Sequence, residues 1–197
     1  MPRAFYERPV LEVARALLGK VLVTNHADGM TTGRIVEAEA YAGLADPASH
    51  AVRLRRSRER MGGPAGLAYV HLSHGLHNTL NIVTEPEGSP TGVLIRAAEP
   101  IEGVEVMRLR RGTTASVPDA RLASGPGNLA KAFGITLLDD GRDLTNDPDF
   151  FITDGSDCRL ILASPRIGLT KAAEVPWRFF DGTSTSVSAH GRGVGVT

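Results

Sequence analysis

Two glutamates and a tyrosine alternate along an apolar segment that has the pattern of a β-strand. The segment covers residues 33–41, and successive side chains of a strand point to opposite faces. Ile35, Glu37, Glu39 and Tyr41 therefore share one face. Arg34, Val36, Ala38 and Ala40 point to the other face. A carboxylate held in this way can act as a general base, and if both are buried at least one pKa should be raised. The alternative is a solvent-facing edge strand whose charged side chains prevent pairing with another strand.

Histidines are concentrated further along the chain. His71, His74 and His77 lie within seven residues of one another, and His50 precedes them in a predicted loop. Imidazole can bind a metal ion or transfer protons near neutral pH. Gly75 interrupts the strand spacing, and the segment has neither an HExxH motif nor an interleaved carboxylate, so we expect no metal. Flat rings on a turn can instead stack on nucleic-acid bases.

Arginine is abundant and unevenly distributed. The 22 cationic residues balance 22 acidic ones, and the cations include 19 arginines. Segment 53–60 carries five arginines and one glutamate, and a second cluster lies at 108–111. Arginine suits planar contact with phosphate, although zero net charge by itself argues against a nucleic-acid partner. A solvated charged face is the other interpretation.

Turn-forming residues divide the chain into elements that could position these groups. We predict helices over 9–18, 100–111 and 124–133, and strands over 20–25, 33–41, 67–74, 79–84, 91–97, 158–166 and 175–181. Residues 42–66 have a loop-like composition. Because helices and strands do not alternate regularly, we expect an α+β fold, a single domain with a curved, mostly antiparallel β-sheet flanked by helices.

The composition narrows the class of protein. A chain of 197 residues suits one domain, which we place at 1–181, followed by a flexible tail at 182–197 rich in Gly, Ser and Thr. A single cysteine excludes an intramolecular disulfide and fits a reducing cytoplasm. No apolar run reaches about 18 residues and the N-terminus lacks a signal-peptide pattern, so we expect no membrane partner.

Motifs recur in a characteristic order over residues 5–181. The segment 33–41 is followed by Asp46 and His50, and then by Tyr69-Val70, Gly75, Asn81-Ile82, 93–100, Gly112-Thr113, Ser124-Gly125-Pro126, Arg166-Ile167-Gly168 and Arg178-Phe179-Phe180. In this order the motifs resemble those of the alkyladenine (3-methyladenine, or methylpurine) DNA glycosylases.

The resemblance implies an activity. Enzymes of this family flip damaged purines such as 3-methyladenine, 7-methylguanine, hypoxanthine and ethenoadenine out of duplex DNA, and hydrolyse the N-glycosidic bond without a cofactor or catalytic metal. By position, Glu39 matches the general base, and Arg96 matches a residue near the nucleophilic water. Because no lysine lies in these motifs, we expect a monofunctional enzyme that leaves an abasic site.

The resemblance also assigns a base pocket. Tyr41 and His50 match residues that sandwich the flipped base, and Asn81 matches a residue that helps to reject guanine by its bulk. Leu94 lies close to the pocket on the same strand as Arg96. His71 stands where the best-known members have a tyrosine that closes the sandwich. We expect His50 or His71 to protonate neutral lesions.

The remaining expected contacts are with DNA. His74 replaces the wedge tyrosine of the best-known members, and the apolar Leu76 can share that task. Asn128 occupies a position that is often basic in the family. The expected phosphate contacts are the arginines of the two clusters, Arg53, Arg55, Arg56, Arg58, Arg108, Arg110 and Arg111.

Double-stranded DNA with damaged purines is therefore the expected partner. We expect a monomer in the cytoplasm, associated with the nucleoid in a bacterium. Two alternatives stay open: a hydrolase of nucleosides or other small N-glycosides, and a non-catalytic RNA- or tRNA-binding module. The first predicts no salt-dependent DNA binding, and the second predicts no activity that Glu39→Gln could remove.

Overall fold

One antiparallel β-sheet organises the protein. The computed structural model describes residues 1–189 and 193–196. The strands are β1 (Val21–His26), β2 (Gly29–Tyr41), β3 (Ala68–Ser73), β4 (His77–Thr84), β5 (Thr91–Glu102), β6 (Phe150–Thr153), β7 (Ile161–Ser164), β8 (Arg178–Asp181) and β9 (Val194–Gly195). They pair in the order β3-β4-β5-β2-β8-β7-β9, and β1 joins β2 to β6. All pairings between these described strands are antiparallel, which confirms that part of the predicted fold.

Helices flank the sheet and confirm the α+β class. They are α1 (Arg3–Tyr6), α2 (Val10–Ala16), α3 (His50–Arg53), α4 (Arg55–Met61), α5 (Val104–Arg111) and α6 (Pro126–Ala132), with 3₁₀ turns at Gly43–Ala45, Asp119–Arg121 and Leu137–Asp139. α2 packs on β2 and β5, α6 packs on β4 and β5, and α5 packs on α6 and β2. One continuous cluster of buried apolar residues joins these helices to the sheet.

The loop predicted over 42–66 is wrong, because α3 and α4 lie within it. Ser49 caps α3, where its hydroxyl accepts a hydrogen bond from the Ala51 N–H. α4 buries only Ser57 and Met61, four residues apart, and its other side chains are polar. Two buried residues are too few to give this segment a recognisable helical periodicity.

The predicted alternation of faces along β2 is also wrong in its first half. β2 carries a bulge between Ile35 and Ala38, where its register with β5 shifts. Ile35 therefore packs in the main core with Ala38, while Val36 packs in a second cluster with Ala97. A bulge inserts an extra residue and reverses the alternation beyond it. Glu39 and Tyr41, which follow the bulge, share one face of β2 as predicted.

The folded region extends beyond residue 181, where we placed the domain boundary. Ser186 and Val187 are fully buried, and β9 pairs with β7. The predicted tail falls partly on residues 190–192 and 197, which lie outside the described residues. β6 was not predicted at all. None of the helices in the described part of the chain has the length and hydropathy needed to cross a membrane.

Candidate active site

A row of paired residues crosses the sheet and carries the polar groups of the site. In register, Tyr69 pairs with Asn81, Asn81 with Leu94, Leu94 with Glu39, and Glu39 with Arg178. Directly paired residues of antiparallel strands project from the same face of a sheet. Residues two positions away share that face, which adds Tyr41, His71 and Arg96. The sheet face opposite the main core is therefore the polar one.

A cavity of about 490 Å³ opens above this row. This volume falls within the range of roughly 300–1,000 Å³ that is typical of small-molecule sites. It is lined by seven residues that the sequence singled out, Tyr41, His50, His71, His74, Asn81, Leu94 and Arg96, and by one of the predicted phosphate contacts, Arg53. Ile167 and Lys171 line it from the segment after β7.

Glu39 is fully buried next to residues that line the cavity. Its Oε1 accepts a hydrogen bond of 2.8 Å from the Ile167 N–H and lies 3.2 Å from an Arg96 guanidinium nitrogen. Its Oε2 accepts a hydrogen bond of 3.0 Å from the Tyr41 hydroxyl. A carboxylate offers about four lone-pair positions, so these three described donors leave one for a further donor such as water.

Glu37 is buried as deeply but has a different environment. Its Oε1 accepts from Arg96 at 2.9 Å, from Arg178 at 2.7 Å and from the Ser188 hydroxyl at 2.9 Å, and its Oε2 accepts from the Ser188 N–H at 2.6 Å. Burial acts to raise the pKa of Glu37, but the two guanidinium groups outweigh it and hold that pKa below its ordinary value. The raised pKa that we expected for at least one of the two glutamates is thus not found at Glu37, which serves as a structural ion pair.

A second buried ion pair holds the rim of the cavity. Arg166 bonds both carboxylate oxygens of Asp46, at 2.5 and 2.9 Å, and the Ala40 carbonyl at 2.9 Å. Its guanidinium carbon lies 4.7 Å from the centre of the Tyr41 ring and 5.2 Å from that of Trp177. These contacts fix the Tyr41 ring. They also place Ile167, the residue after Arg166, against Glu39. Burial and the neighbouring Glu39 raise the pKa of Tyr41, so its hydroxyl remains a donor.

The imidazoles of His50 and His71 meet edge to face, with their ring centres 4.3 Å apart. Burial lowers the pKa of His50, and Arg53 and His74 lower it further. Burial and the nearby His50 lower the pKa of His71 to about 4. Both rings are therefore neutral at neutral pH, and the expectation that one of them protonates neutral lesions is not supported. The ring of Tyr69 stacks on His71 with centres 5.0 Å apart.

The predicted wedge residues lie on the β3–β4 turn. His74 has a φ of 50°, in the left-handed region, and Gly75 follows with a φ of 70°. This turn exposes the Leu76 side chain, which is 74% accessible. An apolar side chain projecting from a tight turn has the form that a DNA wedge requires.

The two arginine clusters differ in what their side chains contact. Arg53, Arg55, Arg56 and Arg58 are exposed on α3 and α4, and Arg53 lines the cavity. Within this cluster Arg55 pairs with Glu59, and Arg58 donates to the Ala51 carbonyl. Arg108 is buried and bonds Asp119 and the Thr114 and Val117 carbonyls, and Arg110 forms a bidentate pair with Asp28. Arg111 donates to the Leu122 carbonyl. Every arginine of the second cluster is held by intramolecular partners, whereas Arg53 and Arg56 have none among the described residues. We therefore restrict the expected phosphate contacts to the first cluster.

Some groups of the site were not assigned from the sequence. Arg166 and Ile167 belong to a quoted motif, but their roles depend on a contact with β2 across more than 120 residues of chain. Lys171 lines the cavity although no lysine lies in the motifs. Among the described residues, no group of three His, Cys, Asp or Glu side chains is arranged to hold a metal ion.

Comparisons with known proteins agree over nearly the whole chain. The family described as "Methylpurine-DNA glycosylase (MPG)" matches residues 4–185. A protein of Methanocella arvoryzae named "Putative 3-methyladenine DNA glycosylase" is 47% identical, over 98% of both chains. Proteins with the same name from Chlorobium phaeobacteroides and Rubrobacter xylanophilus are 44% and 48% identical. The first alignment covers 90% of this chain and 91% of the relative, and the second covers 83% and 84%.

Proposed function

The chain belongs to the methylpurine-DNA glycosylase family, and on this premise we propose that it removes damaged purines from duplex DNA by a monofunctional hydrolysis. The substrates are purines of the 3-methyladenine, 7-methylguanine, hypoxanthine and ethenoadenine class. The observation that carries the proposal is the cavity of about 490 Å³ with a fully buried Glu39 behind its wall. The enzyme acts where the DNA is, in the cytoplasm or at the nucleoid of a bacterium.

Base flipping exposes the bond that is cleaved. A base stacked in the duplex does not present its sugar C1′ to water, and extruding the nucleotide costs a few kcal/mol. The turn that carries His74 and Leu76 fills the resulting gap, which offsets part of this cost. The flipped base enters the cavity between Tyr41 on one side and His50 with His71 on the other.

Hydrolysis then follows from the placement of Glu39. A water molecule at the free lone-pair position of Glu39 attacks C1′, the bond from C1′ to the base nitrogen breaks, and its electron pair leaves with the purine. Glu39 accepts the proton of the water and stabilises the cationic character of the sugar. Arg96 orients the Glu39 carboxylate, since it contacts Oε1. A purine alkylated at N3 or N7 is already cationic and leaves without prior protonation.

The exposed arginines beside the cavity favour DNA over a free nucleoside as substrate. Arg53 lines the cavity itself, and Arg55, Arg56 and Arg58 continue the positive surface along α4. Such a surface is suited to phosphates on either side of a flipped nucleotide.

The test uses duplex DNA with one 7-methylguanine or one hypoxanthine at a defined position. After incubation with the protein, hot alkali should break the strand at the lesion only. Breaks that appear without alkali would reject monofunctional hydrolysis, and intact strands after alkali would reject the proposed function.

A further inference from the structure

A groove of about 380 Å³ shares the β3–β4 turn with the candidate active-site cavity. His74, on this turn, lines the cavity, whereas Leu76 and His77, which follow it, line the groove. The first turn of α6 divides in the same way, because Pro126 lines the cavity and Gly127 lines the groove. These five residues therefore form a ridge with a concave surface on each flank.

Close packing holds the two halves of the ridge together. A Cβ added at Gly127 would lie only 2.9 Å from the Cβ of His77. Carbon atoms in favourable contact are about 3.5–4.0 Å apart, so α6 meets the start of β4 with no room for a side chain between them. The cavity and the groove consequently keep fixed positions on either side of the turn that carries the proposed wedge.

The groove carries positive charge. Among the residues that the structure describes, those that line it include Lys131 and Arg111 but no Asp or Glu. Arg111 is held by the Leu122 carbonyl. The exposed Lys131 has its Nζ 3.3 Å from the Arg111 carbonyl oxygen, and since an ammonium group has three protons, this bond leaves two for a ligand. His77 adds a ring N–H whichever of its nitrogens is protonated. The ligand that fits these donors is an anion.

The proposed base flipping determines which DNA strand faces the groove. The flipped nucleotide enters the cavity, and the turn fills the gap that this nucleotide leaves in the base stack. The groove begins on the opposite flank of the ridge, so it faces away from the strand that has lost its nucleotide from the stack. The strand that it faces is the one that remains stacked, and this strand carries one negative charge per phosphate.

We propose that this groove binds the backbone of the complementary DNA strand, opposite the flipped nucleotide, and that Lys131 donates to a phosphate there with His77 as a second donor. This inference rests on the proposed function. It adds a contact surface beyond the exposed arginines of α3 and α4, which lie on the cavity side of the ridge. Contacts with both strands hold the duplex in place while one nucleotide is extruded.

Uncharged phosphate analogues test which strand the groove binds. The probe is a duplex with a tetrahydrofuran abasic analogue, which has no base to excise, so that affinity is measured without turnover. Consecutive methylphosphonate linkages in the complementary strand, opposite the analogue, should weaken binding of the wild-type protein by about fivefold or more, the usual net worth of one hydrogen bond. Lys131→Gln should show a similar loss on the unmodified duplex and little further loss on the methylphosphonate duplex.

Three comparisons make the assignment specific. Methylphosphonates in the strand that carries the analogue should weaken the wild-type and Lys131→Gln proteins equally, and the two proteins should bind the single-stranded probe equally. Lys20→Gln is the matched control, because Lys20 pairs with Asp154 and lines neither the cavity nor the groove, and it should bind every probe as the wild-type protein does. If Lys131→Gln stays fully sensitive to the modified complementary strand, or binds the single strand as poorly as the duplex, the inference is wrong.

Binding also separates this inference from the proposed function. Sensitivity to the complementary strand that depends on Lys131, with no excision of any lesion, would sustain the groove and reject the activity. Excision by a wild-type protein that is insensitive to methylphosphonates in the complementary strand would reject the groove and sustain the activity. The wild-type response involves no substitution, so a variant that fails to fold does not remove the test.

Discussion

Glu37 and Glu39, two residues apart on β2, share the guanidinium group of Arg96. Arg96 Nε lies 2.9 Å from Glu37 Oε1, and its Nη1 lies 3.2 Å from Glu39 Oε1. Arg178 adds a second cation on the Glu37 side only, at 2.7 Å. The two carboxylates therefore have different tasks. Glu37 is fully engaged in the fold, while the Glu39 carboxylate has only three donors among the described residues.

The first prediction concerns stability. Glu37→Gln removes the buried carboxylate that Arg96 and Arg178 share. Because this leaves buried positive charge without its partner, the substitution should lower the free energy of unfolding by about 3–5 kcal/mol. Urea denaturation measures this change. Glu99→Gln is the control, because the Glu99 carboxylate pairs with Arg34 but is 42% exposed, and should cost about 1 kcal/mol or less. Equal losses in the two variants would contradict the assignment.

The second prediction concerns pH. The pKa of His71 falls from an ordinary value of 6.5 to about 4 in the folded protein. Between these pH values the unfolded chain binds more protons, so the His71 contribution to stability is complete above about pH 6.5 and is lost as the pH falls towards 4. The His71→Gln variant has no group to protonate at this position. As the pH falls from 6.5 to 4, its free energy of unfolding should therefore decrease by roughly 2 kcal/mol less than that of the wild-type protein. If the free energies of unfolding of the two proteins change in parallel with pH, the pKa of His71 is not lowered in the folded protein.

The third prediction concerns the positive surface on α3 and α4. Replacing Arg55, Arg56 and Arg58 by alanine should weaken binding to undamaged duplex DNA and reduce the slope of log affinity against log salt. Each lost phosphate contact reduces the slope by about 0.9. Arg159→Ala, at an exposed arginine away from the cavity, should leave the slope unchanged. A triple variant with the wild-type slope would place the DNA elsewhere.

The fourth prediction concerns the β3–β4 turn. His74→Ala and Leu76→Ala should slow excision from duplex DNA by about tenfold or more, and should affect single-stranded substrate much less, because only the duplex must be unstacked. Single-turnover rates on the two substrates provide the comparison. Leu109→Ala, at another exposed leucine, is the control. Equal losses on both substrates would show that the turn is not a wedge.

The sequence was informative wherever local patterns decide structure. The apolar stripe of α2 and the turn residues around β3 and β4 predicted these elements to within a few residues. β5 runs five residues past its predicted end, so residues 100–102, predicted as the start of a helix, belong to the strand. The family motifs named Glu39, Tyr41 and Arg96 together. In the structure Tyr41 and Arg96 line one cavity, and both contact the buried Glu39 carboxylate.

The rest depended on contacts between distant parts of the chain. The bulge in β2 follows from its pairing with β5, and no pattern within 33–41 reveals it. Arg108 and Arg110 look like free cations in the sequence, yet each has an acidic partner. The low pKa of His71 likewise follows from burial and from the approach of His50.

The most direct test of the catalytic role of Glu39 is the single-turnover rate of 7-methylguanine excision by Glu39→Gln. Removing the carboxylate that activates water should reduce this rate by about 10²–10⁴-fold. The variant should remain folded and should bind damaged duplex with nearly wild-type affinity, since Arg96 keeps Glu37 as partner. A folded Glu39→Gln protein that excises the base at the wild-type rate would contradict the mechanism.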